Sequence, residues 1–235
     1  MAKAKKKIKE EKGFWQKLRK VLLILFIIHL VYIILLKWVY PPITITQLNS
    51  FLGGDGLKRD YISFEKVSKP AKLAVIASED QLFPDHDGFD FKSIEKAMKH
   101  NQRSKSLRGA STISQQVAKN VFLWQGRSYI RKGLEVYFTF MIEWIWGKKR
   151  ILAVYLNVIE TGKGIYGMEA AARHYFKKPA MALNRKESAQ IAACLPNPSL
   201  FTIKPLSSRV AKRYPWILGQ MNNLQNDPDI MNVIE

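Results

Sequence analysis

Apolar residues run from Val21 to Leu36 with His29 as the one polar interruption, and nothing later in the chain is so uniformly apolar. That run is short for a bilayer span. Trp38, Val39 and Tyr40 extend it to about 20 residues, or ~30 Å as a helix. Lys37 can snorkel, and Trp38 and Tyr40 suit the headgroup level. Pro41-Pro42 stops the helix. Beyond it the apolar positions recur every three or four residues. Lys69/Pro70 to Ser78 reads as a helix, with Pro in its first turn and Leu73, Ala74 and Ala77 inward. Phe91–His100 follows, with Ile94, Ala97 and Met98 inward. Ser111 or Thr112 can cap a helix through Leu123. Ser128 can cap the next, whose stripe is Ile130, Leu134, Tyr137/Phe138, Met141 and Ile145 and whose end is Gly147. Lys148–Asn157, Met168–Phe176, Arg185–Leu195 and Arg209–Leu224 complete the set, with Pro215 interrupting the last. Ile43–Tyr61 reads as a linker with little regular structure, and Asn101–Arg108 as a mobile loop. No alternating pattern persists, so the chain reads as mainly α. The expected divisions are a basic tail over 1–20, a membrane helix over 21–40, a linker over 41–64, a domain over 65–224 and a tail over 225–235.

Charge sharpens this picture. Nine Lys and Arg precede the apolar run, which places the N-terminus in the cytoplasm. No small-x-small cleavage site follows, so a retained single-pass anchor is expected rather than a removed signal. The rest of the chain is then extracytoplasmic, and nucleic acid is not an expected partner. Residues 41–235 still carry a net charge of +11 within a total of +19, so the domain itself is basic. Solubility alone explains such a surface, and so does an anionic lipid or phosphorylated substrate. The one cysteine, Cys194, lies in the apolar run Ile191–Leu195 and reads as a small buried hydrophobe.

Two polar blocks carry the candidate chemistry. The first is Glu79-Asp80-Gln81-Leu82-Phe83, followed by His86 and Gly88-Phe89-Asp90. The second is Gly109-Ala110-Ser111-Thr112-Ile113-Ser114-Gln115-Gln116. Glu79 ends an apolar helix, where the dipole disfavours a carboxylate. A solvated helix end accounts for that, and so does a general base. An aromatic wall of Phe83, Phe89 and Phe91 favours the base, because apolar surroundings raise a carboxylate's pKa. His86, between two aspartates, orders a turn or takes part in catalysis. Lys119 shares a helix face with Gln115 and Gln116, which makes an anion-binding surface. Arg131 and Glu135 stand at i,i+4, an ordinary helix pair. The helix that carries them is apolar all round, however, so it is buried or meets lipid.

Taken together these residues resemble the monofunctional biosynthetic peptidoglycan glycosyltransferases and the glycosyltransferase domain of bifunctional penicillin-binding proteins. The likeness rests on the first block, on Gly109–Gln116 with Lys119-Asn120, and on Arg131-Lys132-x-x-Glu135. It continues through Lys149–Asn157, Gly164-x-x-Gly167-x-x-x-Ala-Ala172, Tyr175-Phe176, Leu195-Pro-Asn-Pro198 and Arg213 before Trp216. Order and spacing hold over roughly residues 65–222. One departure is Ala153, where the family usually has Glu.

The resemblance implies a lysozyme-like helical domain on a single anchor in the bacterial cytoplasmic membrane, polymerising lipid II. Glu79 would take the proton of the acceptor GlcNAc 4-hydroxyl, and the anomeric carbon of the growing chain would invert. Lys119, Arg127 and Arg131 would stabilise the departing pyrophosphate, and Glu135 would hold these cations or bind a metal beside it. Asp80, Phe83, Ser111, Thr112, Gln115, Gln116, Asn197 and Arg213 would bind substrate. No cofactor is required on this reading, though a divalent cation such as Mg2+ or Mn2+ could assist the pyrophosphate. Expected partners are lipid II, nascent glycan, membrane lipids and other cell-wall synthesis proteins. The rival readings are a glycan hydrolase or lytic transglycosylase, and a non-catalytic scaffold.

Overall fold

The computed structural model describes residues 2–104, 109–126 and 128–235, with side chains from residue 13 onward. Internal packing divides the chain at residue 39 into two units. The first is helix α1 (Ala2–Leu35) with a short turn after it. Residues Gly13–Leu35 of α1 are long and apolar enough to cross a bilayer, about 34 Å at 1.5 Å per residue. The sequence places Trp38–Tyr40 on this helix. It instead ends at Leu35 and turns through Trp38, and the missing length comes from Gly13–Lys20.

The second unit is mostly helical. It opens with α2 (Ile45–Leu52), inside the segment expected to be irregular. The reason is a capping box: Thr44 Oγ1 accepts from the Gln47 amide, and Gln47 Oε1 accepts from the Thr44 amide. Strand β1 (Lys58–Arg59) then pairs parallel with a later strand, and α3 (Lys69–Glu79) follows, capped by Ser68. Residues Ala71–Ala77 of α3 are all buried, which makes it the central helix. Next come α4 (Phe91–Arg103), α5 (Ile113–Phe122), α6 (Tyr129–Trp146) and α7 (Lys148–Val158). The expected loop at 101–108 is helical to Arg103, and residues 105–108 lie outside the described residues. No residue of α4 is buried, and Met98, expected inward, is exposed.

Strands β2 (Glu160–Gly162) and β3 (Ile165–Tyr166) form a hairpin, so the small sheet runs β1-β3-β2. Strands of two or three residues are too short to show alternation. Helix α8 (Met168–Ala171) continues into a π-turn, followed by α9 (Arg185–Cys194) and α10 (Ser208–Leu224), which runs unbroken through Pro215. The expected tail holds α11 (Pro228–Ile234), with Asp227 as its cap, Pro228 in its first turn, and Ile230 and Ile234 buried. Lys72 of α3 fixes it by donating to the Ile234 carbonyl at 2.9 Å.

Two packed groups result. Helix α3 lies with α9, α10 and α11, and α5 lies with α6 and α7. The inward face of α6 is Glu135, Phe138, Thr139, Met141, Ile142 and Trp146. The expected stripe meets it in part: Phe138 and Met141 are buried and Ile145 half-buried, whereas Ile130, Leu134 and Tyr137 are exposed, as are Val136, Phe140 and Trp144. Both faces of α6 are apolar, so periodicity alone could not choose between them.

Candidate active site

The two groups meet where the end of α3 faces the start of α5, and adjacent acids there do different things. Helix α3 stops at Glu79, and Asp80 leaves the helix with φ −162° and ψ 81°. That turn sends the Asp80 carboxylate into α5. Asp80 Oδ2 accepts from the Ile113 amide, the first of α5, at 2.9 Å. An anion is favoured there by the helix dipole and the free N–H groups. His86 completes the joint. Its Nδ1 accepts from the Gly88 amide at 3.1 Å, so its proton is on Nε2, which donates to Asp80 at 3.0 Å. His86 therefore orders the turn, the simpler of its two readings.

The same logic moves four other expected substrate contacts inside the fold. Asp80 is buried and held by the Ile113 amide and the His86 ring. Phe83 is fully buried, with the Lys148 ammonium 4.8 Å from its ring centre. Thr112 caps α5 and donates to the Gly88 carbonyl at 2.7 Å. Gln115 closes that capping box through its Oε1 and is also buried. Burial without partners would be costly, and each polar group here has one. Behind them Ser114 donates to Glu143, which pairs with Lys148 at 2.7 Å, and Lys148 donates to the His86 carbonyl.

Glu79 faces the other way and is mostly covered. Its Oε1 accepts from Ser78 Oγ at 2.8 Å, and its Oε2 from Gln116 Nε2 at 3.0 Å. The Arg213 guanidinium lies 3.8 Å from Oε1 and donates to both Ser78 oxygens. These donors offset the unfavourable helix end. Of the expected aromatic wall, Phe83 is buried in the core, Phe89 is half-buried and Phe91 is 75% exposed. Gln116, expected on substrate, is bound to Glu79 and to the Tyr155 hydroxyl of α7.

Lys119, one turn further along α5, stands in the fields of two acids, Glu79 and Glu135. Burial above all pulls its pKa below the ordinary lysine value. Glu135 opposes that, Arg131 and Lys132 add to it, and Glu79 opposes it again. Glu135 is buried on the inward face of α6 and pairs with Arg131 at 2.8 Å and Lys132 at 2.5 Å. Arg131 also donates to the Gly126 carbonyl. The pair is thus more than a surface helix contact. Glu135 joins two cations within the field of Lys119, and Lys132, half exposed, is a member that helix spacing alone did not single out.

Ser111 is exposed beside this cluster's helix, and Asn197 is half-buried in the turn after α9. Arg127 lies outside the described residues. Ala153 is buried in α7, where its carbonyl accepts from the Asn157 side chain at 2.9 Å. Among the described residues no three His, Cys, Asp or Glu side chains converge as metal ligands. Glu135 is already compensated by Arg131 and Lys132.

The comparisons agree with one another. The family model described as Transglycosylase matches residues 45–222. A biosynthetic peptidoglycan transglycosylase of Aeromonas hydrophila is 48% identical over 211 residues, covering 88% of this chain and 90% of its own. One of Mannheimia succiniciproducens is 57% identical over 165 residues, covering 70% and 68%. One of Yersinia pseudotuberculosis is 56% identical over 182 residues, covering 76% of each.

Proposed function

Because this chain belongs to the transglycosylase family, we propose that it is a peptidoglycan glycosyltransferase that polymerises glycan strands from lipid II. The observation that supports this best is one covered, hydrogen-bonded acid, Glu79, whose field, with that of a second acid, Glu135, reaches a buried lysine, Lys119. A base and a cation side by side suit a reaction in which a hydroxyl attacks and a pyrophosphate leaves.

In the proposed step the 4-hydroxyl of the acceptor GlcNAc gives its proton to Glu79. Its oxygen bonds to the anomeric carbon of the growing chain's MurNAc. The bond from that carbon to the pyrophosphate oxygen breaks with inversion, and the electron pair leaves with the pyrophosphate. Lys119 and Lys132 face that developing charge, with Glu135 keeping the cations together before substrate arrives. Ser78, Gln116 and Arg213 hold the base, a role different from the substrate contact expected for Gln116 and Arg213. Ser111, Asn197 and Arg127 are assigned to substrate from the resemblance. No step is routed through a metal. Ala153 is expected to leave activity intact.

The anchor attaches the enzyme to the membrane that carries its lipid substrate. The basic tail puts the N-terminus in the cytoplasm and the domain outside it. The exposed apolar residues of α6 would meet acyl chains.

The full-length chain with lipid II as sole substrate should make long glycan and release polyprenyl pyrophosphate. Glu79→Gln should lower that rate by ~10²–10⁴-fold with thermal stability kept. Near-normal turnover in the variant removes Glu79 as the base. Shortening of preformed glycan without polymer would make the protein a hydrolase.

A further inference from the structure

The base is held by an amide, and an amide can point either way. Gln116 donates from Nε2 to Glu79 Oε2 at 3.0 Å. Turned by half a revolution, the same side chain would aim its oxygen at a carboxylate, which is repulsive. Nothing in α5 itself prevents that turn. The other end of the amide meets Tyr155, whose hydroxyl lies 3.1 Å from Gln116 Oε1.

The chemistry of the three groups fixes the direction of this chain. An ionised carboxylate only accepts, so the atom facing Glu79 must be the amide nitrogen. The amide oxygen is then left facing Tyr155, which must donate. Tyr155 is suited to that task. It is fully buried on α7, and its ring has few torsions to lose. Burial, then the charges of Glu79 and Asp80, hold its pKa well above the usual tyrosine range, so it keeps its proton.

We propose that Tyr155 is a positioning residue for the glycosyl-transfer reaction: its hydroxyl locks the Gln116 amide in the orientation that presents N–H to Glu79. It touches neither substrate nor reacting atoms and acts only through Gln116. The base is thereby set from four helices, α3, α5, α7 and, through Arg213, α10, rather than from its own helix end alone. The proposal rests on Glu79 being the base of the reaction inferred above.

Tyr155→Phe removes the hydroxyl and little else. The test measures kcat and KM for lipid II in the full-length chain for wild type, Tyr155→Phe, Gln116→Met and the double variant, with thermal melts alongside. Tyr155→Phe should lower kcat about tenfold, the effect of one hydrogen bond of ordinary strength, with KM within about twofold. Gln116→Met should lose at least as much, and adding Tyr155→Phe to it should cost nothing further. A core hydroxyl with no positioning role would give additive losses, and that result overturns the proposal. So do an unchanged kcat in Tyr155→Phe and a Tyr155→Phe chain unfolded at the assay temperature. Wild type that polymerises while Tyr155→Phe matches it removes this inference alone. Wild type that makes no polymer removes the underlying function as well.

Discussion

Glu79 and Lys119 are the two residues whose charge states the chemistry uses, and Lys119 gives the sharper handle. Burial and the neighbouring Arg131 and Lys132 lower its pKa, more than Glu135 and Glu79 raise it. A lysine with a lowered pKa keeps its charge at low pH and loses it earlier than usual as pH rises. The alkaline limb of kcat/KM should therefore fall earlier in wild type than in Lys119→Arg, whose guanidinium stays charged. Coincident alkaline limbs in the two pH profiles would detach that limb from Lys119. Residue type was enough to single out Glu79, Lys119 and Glu135 in the sequence, because a charge beside apolar neighbours demands a partner. It did not give direction. Asp80, Phe83, Thr112 and Gln115 are residue types that also bind ligands, yet they point into the fold, where Asp80 joins the end of α3 to α5, Thr112 ties α5 to Gly88 and Gln115 closes the cap of α5. Tyr155 was legible as part of a motif but not as the partner of Gln116, since the two are brought together only by the packing of α5 on α7.

At the scale of elements the weak joint is the turn after α3. Gly88 has φ +90°, and a Cβ there would stand 2.7 Å from Thr139 Cγ2 and 3.0 Å from Glu143 Cγ. Gly88→Ala should destabilise the domain by about 2–3 kcal/mol, from left-handed strain plus overpacking. A thermal melt checks this, and an unchanged Tm would mean the turn relaxes freely. Gly88 also supplies the carbonyl that Thr112 uses and the amide that orients His86. The helices with one apolar face and a clear cap could be read directly, α3 and α9 among them. Helices α2 and α11 were missed although Thr44-x-x-Gln47 and Asp227-Pro228 are standard starts, because each is only two turns long and flanked by turn residues. Helix α6 was found with Phe138 and Met141 rightly inward but Ile130, Leu134 and Tyr137 wrongly so, because the residues facing solvent are as apolar as those facing the core.

For the whole molecule, charge and apolar surface point to the same partner. A chain of net charge +19 with a bilayer-length helix and an exposed apolar face suits an anionic lipid substrate. Phe140→Ser with Trp144→Ser should raise the KM for lipid II in bilayers more than in detergent micelles. Both side chains are exposed, so stability should hold within about 0.5 kcal/mol. An equal effect in the two media would mean that this face does not meet acyl chains. Helix α6 carries Glu135 and its cations on one side and that apolar row on the other. On the proposed placement of α6 against the bilayer, the cations would sit about one helix diameter, ~10 Å, above the tails. The helix would then work as a depth gauge: it would hold its cations at headgroup height, and a polyprenyl chain could stay in the oil while its sugars react.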